Sequence, residues 1–414
     1  MKGTMTHFDC SKICRTDFTR RKFLLQGSLA SIGVAGGMTG AAAGLVRTAV
    51  LAQESPVPTG LHERRLVLVE QYPSPVITVK SPGAEGNKYG FEGGNVVKLH
   101  GTYHLVTTEM CGDPMAVKTK LAHWSSKDRV HWKRVSTLYE SSGDFTGNDP
   151  RAALWGPMFI YDEQPQEWNL IYVAYRATPD TATEFRTNYE GTIWRAVSNV
   201  KGPAGIDGPY TDVGVLLRPD KDTQPWEGLQ GTDSFFAYPA GNRWLGLYGS
   251  ANTEHKPIEH WRVGLAEAPR LAGPWKRCLN TNPVNALSEF NVGKSFAGKP
   301  MLNVGQSFAE NPIVTRLEDG SYISVFDNEY PGGIGYAWSA DGLHWVWGHD
   351  LVLQPKGAGF WADDVRTPLG LVAEANGLYS MFYTGYQKVP GSQGLGFGAI
   401  GFVTVKLQPQ SSGR

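Results

Sequence analysis

One repeated pattern constrains this chain more than any other feature. Five times, an inner strand with a distinctive residue at its start leads into a strand of alternating aromatic and apolar residues. A strand of the form apolar-Ala-x-Ser follows in most units, then a Gly or Asp turn and a Trp or Tyr. The units open as FEGGNVVKL at Phe91, ALWGPMFIYD at Ala153, GTDSFFAYPA at Gly231, FAENPIVTRL at Phe308 and ADDVRTPLGLVA at Ala362. Their inner positions, Glu92, Trp155, Asp233, Glu310 and Asp363, recur at intervals of 53 to 78 residues, and Trp132, Tyr210, Trp275 and Trp345 close the first four. A unit of four short strands cannot bury its own faces, so such units stack on one another around an axis. The expected fold is all-β, a five-bladed β-propeller with four-stranded antiparallel blades.

Composition agrees with this expectation. Among 414 residues only 19% are charged and 11% are aromatic, with 50 Gly and 26 Pro. That profile suits a turn-rich β protein with an aromatic core and excludes a disordered chain. No segment carries a long amphipathic helix period. The formal charge is zero, but residues 1–52 hold seven Lys/Arg and two acids, leaving 32 of the 39 basic and 37 of the 39 acidic residues beyond them. No basic stripe remains, which argues against nucleic acid as a partner.

The basic N-terminus reads Thr19-Arg20-Arg21-Lys22-Phe23-Leu24-Leu25, continues Gly/Ala-rich to Val46, and reaches Val50-Leu51-Ala52. It resembles a twin-arginine export signal with cleavage after Ala52, and is too Gly-rich and weakly apolar for a membrane anchor. The expected organisation is a signal peptide at 1–52, a polar extended tail at 53–64, a propeller catalytic domain at 65–408 and a tail at 409–414. The mature protein is then periplasmic or extracellular, has no stable membrane anchor, and meets the twin-arginine export machinery on its way out. Cys10 and Cys14 leave with the leader. Cys111 and Cys278 remain, either as a disulfide or as two free thiols. No Cys/His spacing matches a zinc site.

In a propeller the same end of every inner strand converges on one funnel. Glu92, Asp233 and Glu310 occupy such ends and would meet there. Glu310 lies in Ser307-Phe308-Ala309-Glu310-Asn311-Pro312-Ile313-Val314, ahead of a hairpin turn at Glu318-Asp319-Gly320. Its apolar neighbours Phe308 and Pro312 favour a protonated carboxyl.

The phrases SSKDRVHW, APRLAGPW and SADGLHW, together with the order of the three acids, resemble the blade endings and catalytic carboxylates of glycoside hydrolase family 43 and its relatives, over about residues 65–408. The resemblance implies a secreted glycosidase acting on a poly- or oligosaccharide, with arabinose or xylose linkages favoured and an inverting mechanism. It assigns Glu310 as general acid, Glu92 as base and Asp233 as the acid that orients and tunes Glu310. Protonating the leaving oxygen and activating water on the opposite face requires two such carboxyls. Three departures mark a divergent member: Glu92-Gly93 replaces an Asp-Pro base, Asn311 stands where Gly is usual, and Trp155-Gly156-Pro157-Met158 lacks an acid.

Arg366 is a candidate substrate-binding residue, able to bind a sugar hydroxyl, pair with an active-site acid, or form a salt bridge with Asp363 or Asp364. Trp155 and Trp361 are candidate sugar-stacking platforms, with core packing the alternative for Trp155. Asp149, in Asn148-Asp149-Pro150-Arg151, resembles the base motif of related fructan-acting enzymes and is a rival base. Glu109 and Asp327 close hairpin strands and read as turn residues, and His104 reads as structural. No cofactor or metal is expected, since no dedicated calcium loop is present, although a calcium in the channel stays open. The competing functions are a non-catalytic carbohydrate-binding propeller and a lyase or phosphorolytic propeller enzyme.

Overall fold

Short apolar runs broken by Gly, Asp and Pro leave little scope for helix, and the computed structural model bears this out. It describes residues 63–256, 258, 260–285, 295–296, 299–300, 309–328, 333–353, 360–387 and 397–409. The expected leader, nearly all of the 53–64 tail, Phe308 and residues 410–414 lie outside these. Among the described residues the only helical pieces are the 3-10 turns Pro203–Asp207 and Ala375–Gly377, and no helix is long and apolar enough to cross a membrane.

The strands form antiparallel meanders. The first holds β2 (Gly90–Leu99), β3 (Thr102–Met110), β4 (Thr119–Ser126) and β5 (Trp132–Glu140). The second holds β6 (Ala153–Asp162), β7 (Glu167–Arg176), β8 (Tyr189–Lys201) and β9 (Tyr210–Leu217). The third holds β10 (Asp233–Ala240), β11 (Arg243–Ala251), β12 (Trp261–Ala268) and β13 (Lys276–Arg277). A small ribbon follows, β14 (Ser295–Phe296) with β15 (Lys299–Pro300). The next meander holds β16 (Glu310–Arg316), β17 (Tyr322–Asp327), β18 (Gly333–Ser339) and β19 (Val346–Val352). The last holds β20 (Asp364–Ala373), β21 (Leu378–Gln387) and β22 (Phe397–Pro409).

That last group gains its fourth strand from the other end of the chain. β1 (Arg64–Gln71) runs antiparallel to β22, from Arg64 opposite Pro409 to Gln71 opposite Val403. The repeat pattern contains no hint of this, because β1 lies outside every unit. β22 also touches β2 through one parallel pair, Gly90 with Gly398. First strands pack side by side in the order β2, β6, β10, β16, β20 and back to β2.

Polar side chains stitch neighbouring sheets together. Asn95 of β2 donates to the Phe159 carbonyl at 3.1 Å and accepts from the Phe159 N–H at 2.8 Å, so its amide acts as a piece of ladder between β2 and β6. Thr232 Oγ1 donates to the Gly191 carbonyl at 2.7 Å. One continuous apolar cluster includes Ile171, Phe235, Ile313, Val325, Val365 and Tyr383.

The repeated turn phrases share one geometry. Asp128 accepts the N–H groups of Val130 and His131 at 3.0 and 2.8 Å and lies 2.7 Å from His131 Nδ1. Asp341 does the same for Leu343, His344 and His344 Nδ1, at 2.8, 2.9 and 2.7 Å. Cys111 and Cys278 are free thiols, and burial pushes each up to about 11.

The junction of β2 and β22 is the tightest of these contacts. A Cβ on Gly90, whose φ is +93°, would lie 1.9 Å from the Gly398 carbonyl oxygen. Gly90→Ala is therefore expected to lower stability by at least about 2 kcal/mol through clash and left-handed strain. Thermal and urea unfolding check this, and an unchanged midpoint contradicts it.

Candidate active site

The inner strands share a local irregularity that aims their first side chains. The ladders shift register between Glu92 and Gly94, Trp155 and Met158, Asp233 and Phe235, and Glu310 and Ile313. In each case the residue after the named side chain is left-handed: Gly93 (φ 65°), Gly156 (φ 53°), Ser234 (φ 27°) and Asn311 (φ 54°). Such β-bulges bend a strand and redirect the adjacent side chain. Glycine reaches this conformation freely, and asparagine tolerates it better than most residues. The Asn311 departure thus keeps the backbone that Gly would allow. Ser234 carries strain of roughly 1–3 kcal/mol.

Arg366, the third residue of β20, ties the acids together. Its Nη2 donates to Glu310 Oε2 at 2.9 Å, its Nε donates to Asp327 Oδ2 at 2.9 Å, and its Nη1 lies 3.6 Å from Glu92 Oε1. Glu310 and Asp327 stand directly opposite each other in the β16–β17 ladder. Like charges so placed repel, and the guanidinium between them offsets that repulsion. Arg366 makes this bridge, the pairing with active-site acids that its sequence position allowed, and none of its ion pairs among the described residues is to Asp363 or Asp364. β20 begins at Asp364, so Asp363 precedes the inner strand instead of opening it.

The other two acids are held by hydrogen bonds. Tyr386 OH donates to Glu92 Oε2, and Thr367 Oγ1 donates to Oε1 at 3.2 Å. Asp233 Oδ1 accepts from Tyr175 OH and from the Ser234 N–H at 2.7 Å, while Oδ2 accepts from Trp261 Nε1 at 3.3 Å. Gln230 Nε2 donates to the Tyr175 hydroxyl at 3.1 Å and so orients it.

Charge and burial set the protonation of this cluster. Burial lifts Glu310 well above the usual carboxyl range; Arg366 opposes this, and Asp327, Asp233 and Glu92 add to it. Burial also raises Asp233, against the hydrogen bonds from Tyr175, Trp261 and Ser234 and with the charge of Glu92. Arg366 is raised well above its ordinary value, because Asp327, Glu92 and Glu310 overcome the effect of burial. Burial lifts the Tyr175 and Tyr386 phenols well above theirs, with Asp233 and Glu92 adding to it, which keeps both as donors. Three carboxyls around one cation, with the charge of Asp233 also felt by Glu310, cannot all ionise cheaply. Glu310, beside buried Ala309 and Pro312, is the carboxyl pushed furthest towards its protonated form.

The remaining sequence candidates each have contacts of their own. Trp155 donates Nε1 to the Ala116 carbonyl at 2.8 Å and packs against the main apolar cluster. Trp361 stacks on Tyr383, with centroids 6.0 Å apart and planes at 14°, and lies against the backbone of Gly385 and Gly401. Both rings are half-buried in packing rather than standing free. Asp149 is bound within its own loop, accepting the Arg151 N–H at 2.8 Å and donating its own N–H to Asp144 at 3.0 Å. None of its hydrogen bonds among the described residues reaches the acid cluster.

Two residues read as turn residues are corrected. Asp327 is fully buried in the cluster. Glu109 is buried too, accepting Trp124 Nε1 at 3.0 Å and Arg134 Nε and Nη2 at 3.0 and 2.9 Å. His104 is buried against His123. Tyr175, Tyr386 and Thr367 were missed. Asp327, Tyr175 and Tyr386 end, or nearly end, second strands that run antiparallel to the first, so they return to the same end of the sheet as the acids. Polar residues closing the second strand of each unit are the signal that would have found them.

Removing the charge opposite Glu310 tests this account. Asp327→Asn is expected to lower the Glu310 pKa, since it removes a repelling charge and leaves Arg366 less neutralised. The carboxyl carbon shift of labelled Glu310 through a pH titration reads it, and an unchanged or raised value contradicts the electrostatic account.

No family model matches this sequence, and no curated protein matches it. Solved structures do. A family 117 glycoside hydrolase from the marine bacterium Zobellia galactanivorans is 12% identical, with a TM-score of 0.52 over 83% of this chain and 90% of its own. A further structure, described as a glycoside hydrolase, is 14% identical, with a TM-score of 0.55 over 84% of this chain and 94% of its own. At such low identity the likeness establishes the fold: an all-β, propeller-like chain of four-stranded antiparallel sheets.

Proposed function

We propose that this protein is a glycoside hydrolase built on a five-bladed β-propeller. Five blades are supported by the cyclic packing of β2, β6, β10, β16 and β20 and by β1 completing the last sheet. The observation that carries the function is the Arg366 guanidinium, which spans Glu310, Asp327 and Glu92, with burial raising the Glu310 carboxyl. The fold shared with glycoside hydrolases adds weight to the reading.

In this mechanism Glu310 donates its proton to the leaving glycosidic oxygen. Glu92, oriented by Tyr386 and Thr367, takes a proton from the water that attacks the opposite face of the sugar. The anomeric centre inverts, as expected for paired carboxyls with a water between them. Asp233 and Asp327 keep the Glu310 proton in place until transfer, and Arg366 stabilises the carboxylate left behind. The substrates favoured are arabinose- or xylose-linked chains. An exported protein is part of the proposal, supported by Arg20-Arg21 and by the small residue Ala52.

Glu310→Gln is expected to reduce hydrolysis of aryl arabinosides, aryl xylosides or arabinan and xylan fragments by about 10²–10⁴-fold. Because a folded carboxyl with a raised pKa binds its proton more tightly than an unfolded one, Glu310 makes stability fall as pH rises above the ordinary carboxyl range. The Gln variant should therefore match or exceed wild-type stability at neutral and alkaline pH. Undiminished turnover overturns the assignment, and saturable sugar binding without turnover in the wild type favours a non-catalytic binding propeller.

A further inference from the structure

Two imidazoles meet away from the acid cluster, at the seam between the first and second sheets. His104 of β3 and His123 of β4 place Nδ1 and Nε2 3.0 Å apart, with ring centroids at 5.2 Å and planes at 30°. His123 is wholly buried, and Phe159 of β6 stands edge-on to it at 5.1 Å. One proton satisfies the contact between the rings. Among the described residues His123 Nδ1 is then left buried with no hydrogen-bond partner, which carries a desolvation cost. Asp207, at the end of the Pro203–Asp207 turn, brings Oδ1 to 3.7 Å from that nitrogen, too far for a hydrogen bond. One nitrogen of each ring and one carboxylate oxygen all lie within 4.8 Å of one another.

Two imidazoles and a carboxylate are a donor set suited to zinc and its neighbours in the transition series. Bonds of about 2.0–2.2 Å to an ion place tetrahedral donors roughly 3.3 Å apart; His123 Nδ1 and Asp207 Oδ1, 3.7 Å apart, are near that spacing, and His104, with a ring nitrogen within 4.8 Å, completes the set by turning away from His123 Nε2. Asp207 has an exposed side chain free to swing inward. We propose that His104, His123 and Asp207 bind one divalent transition-metal ion, with a fourth position open to solvent, and that the ion pins the Pro203–Asp207 turn onto the first sheet. Binding needs no net proton release, since each neutral imidazole keeps its proton on the nitrogen that does not ligate. The two strands come from the first unit and the turn from the second, so the ion would act as a staple independent of glycoside chemistry.

Zinc titration of the metal-free protein by calorimetry and thermal unfolding tests the site, with cobalt absorbance as a second readout. The expected result is one ion per chain, a raised Tm, and tetrahedral cobalt bands in the wild type. Asp207→Asn and His104→Gln should each weaken binding at least tenfold, and the exposed position of Asp207 makes its variant safe for folding. Absence of saturable binding overturns the proposal. So does wild-type affinity retained in both variants, which would place the ion on exposed pairs such as His131 with Asp128.

Discussion

The geometry of the site depends on two acids that antiparallel pairing forces together. Glu310 begins β16 and Asp327 ends β17, so the ladder sets them opposite each other in a buried place. Two ionised carboxylates there would repel strongly. The fold answers with a cation from another sheet, Arg366 of β20, which donates to both. The first-strand packing of β16 beside β20 is what makes that bridge possible, and the same guanidinium reaches towards Glu92. One ion network thereby links β2, β16, β17 and β20.

The bulges explain why inner strands can serve both packing and chemistry. Beyond the irregularity, each strand resumes a regular ladder and buries apolar residues such as Ile313 and Val314. At the irregularity one left-handed residue turns the preceding side chain out of the alternating pattern. Gly93, Gly156, Ser234 and Asn311 fill that role with different residue types, and the backbone demand is the same for all four. The neighbouring bulges also approach closely, since a Cβ on Gly93 would lie 3.6 Å from Gly156 Cα.

Much of the fold was legible. The strand pattern and the Asp-based turns of SSKDRVHW and SADGLHW depend on local chemistry and short-range periodicity, and they appear in the structure as expected. Glu92, Asp233, Glu310 and Arg366 were legible because strand starts in a repeat share an address. Asp327 was misread as a turn residue, and Tyr386 and Tyr175 were overlooked. Their position depends on which end of the second strand faces the first residue of its neighbour. Trp155 and Trp361 were named by residue type alone; the structure adds that Trp155 Nε1 donates to the Ala116 carbonyl and that Trp361 stacks on Tyr383.

The sequence by itself determined the all-β class, the repeat, the turns and the set of acids at strand starts, because each follows from patterns within a few residues. Tertiary structure alone decided that β1 completes the sheet of β22, that Arg366 bridges Glu310 and Asp327, and that His104 and His123 sit within reach of Asp207. The physical reason is common to all three. Each joins residues far apart in the chain, and the energy that selects such pairs, charge offset in low dielectric and backbone groups seeking partners, exists only once the sheets have packed.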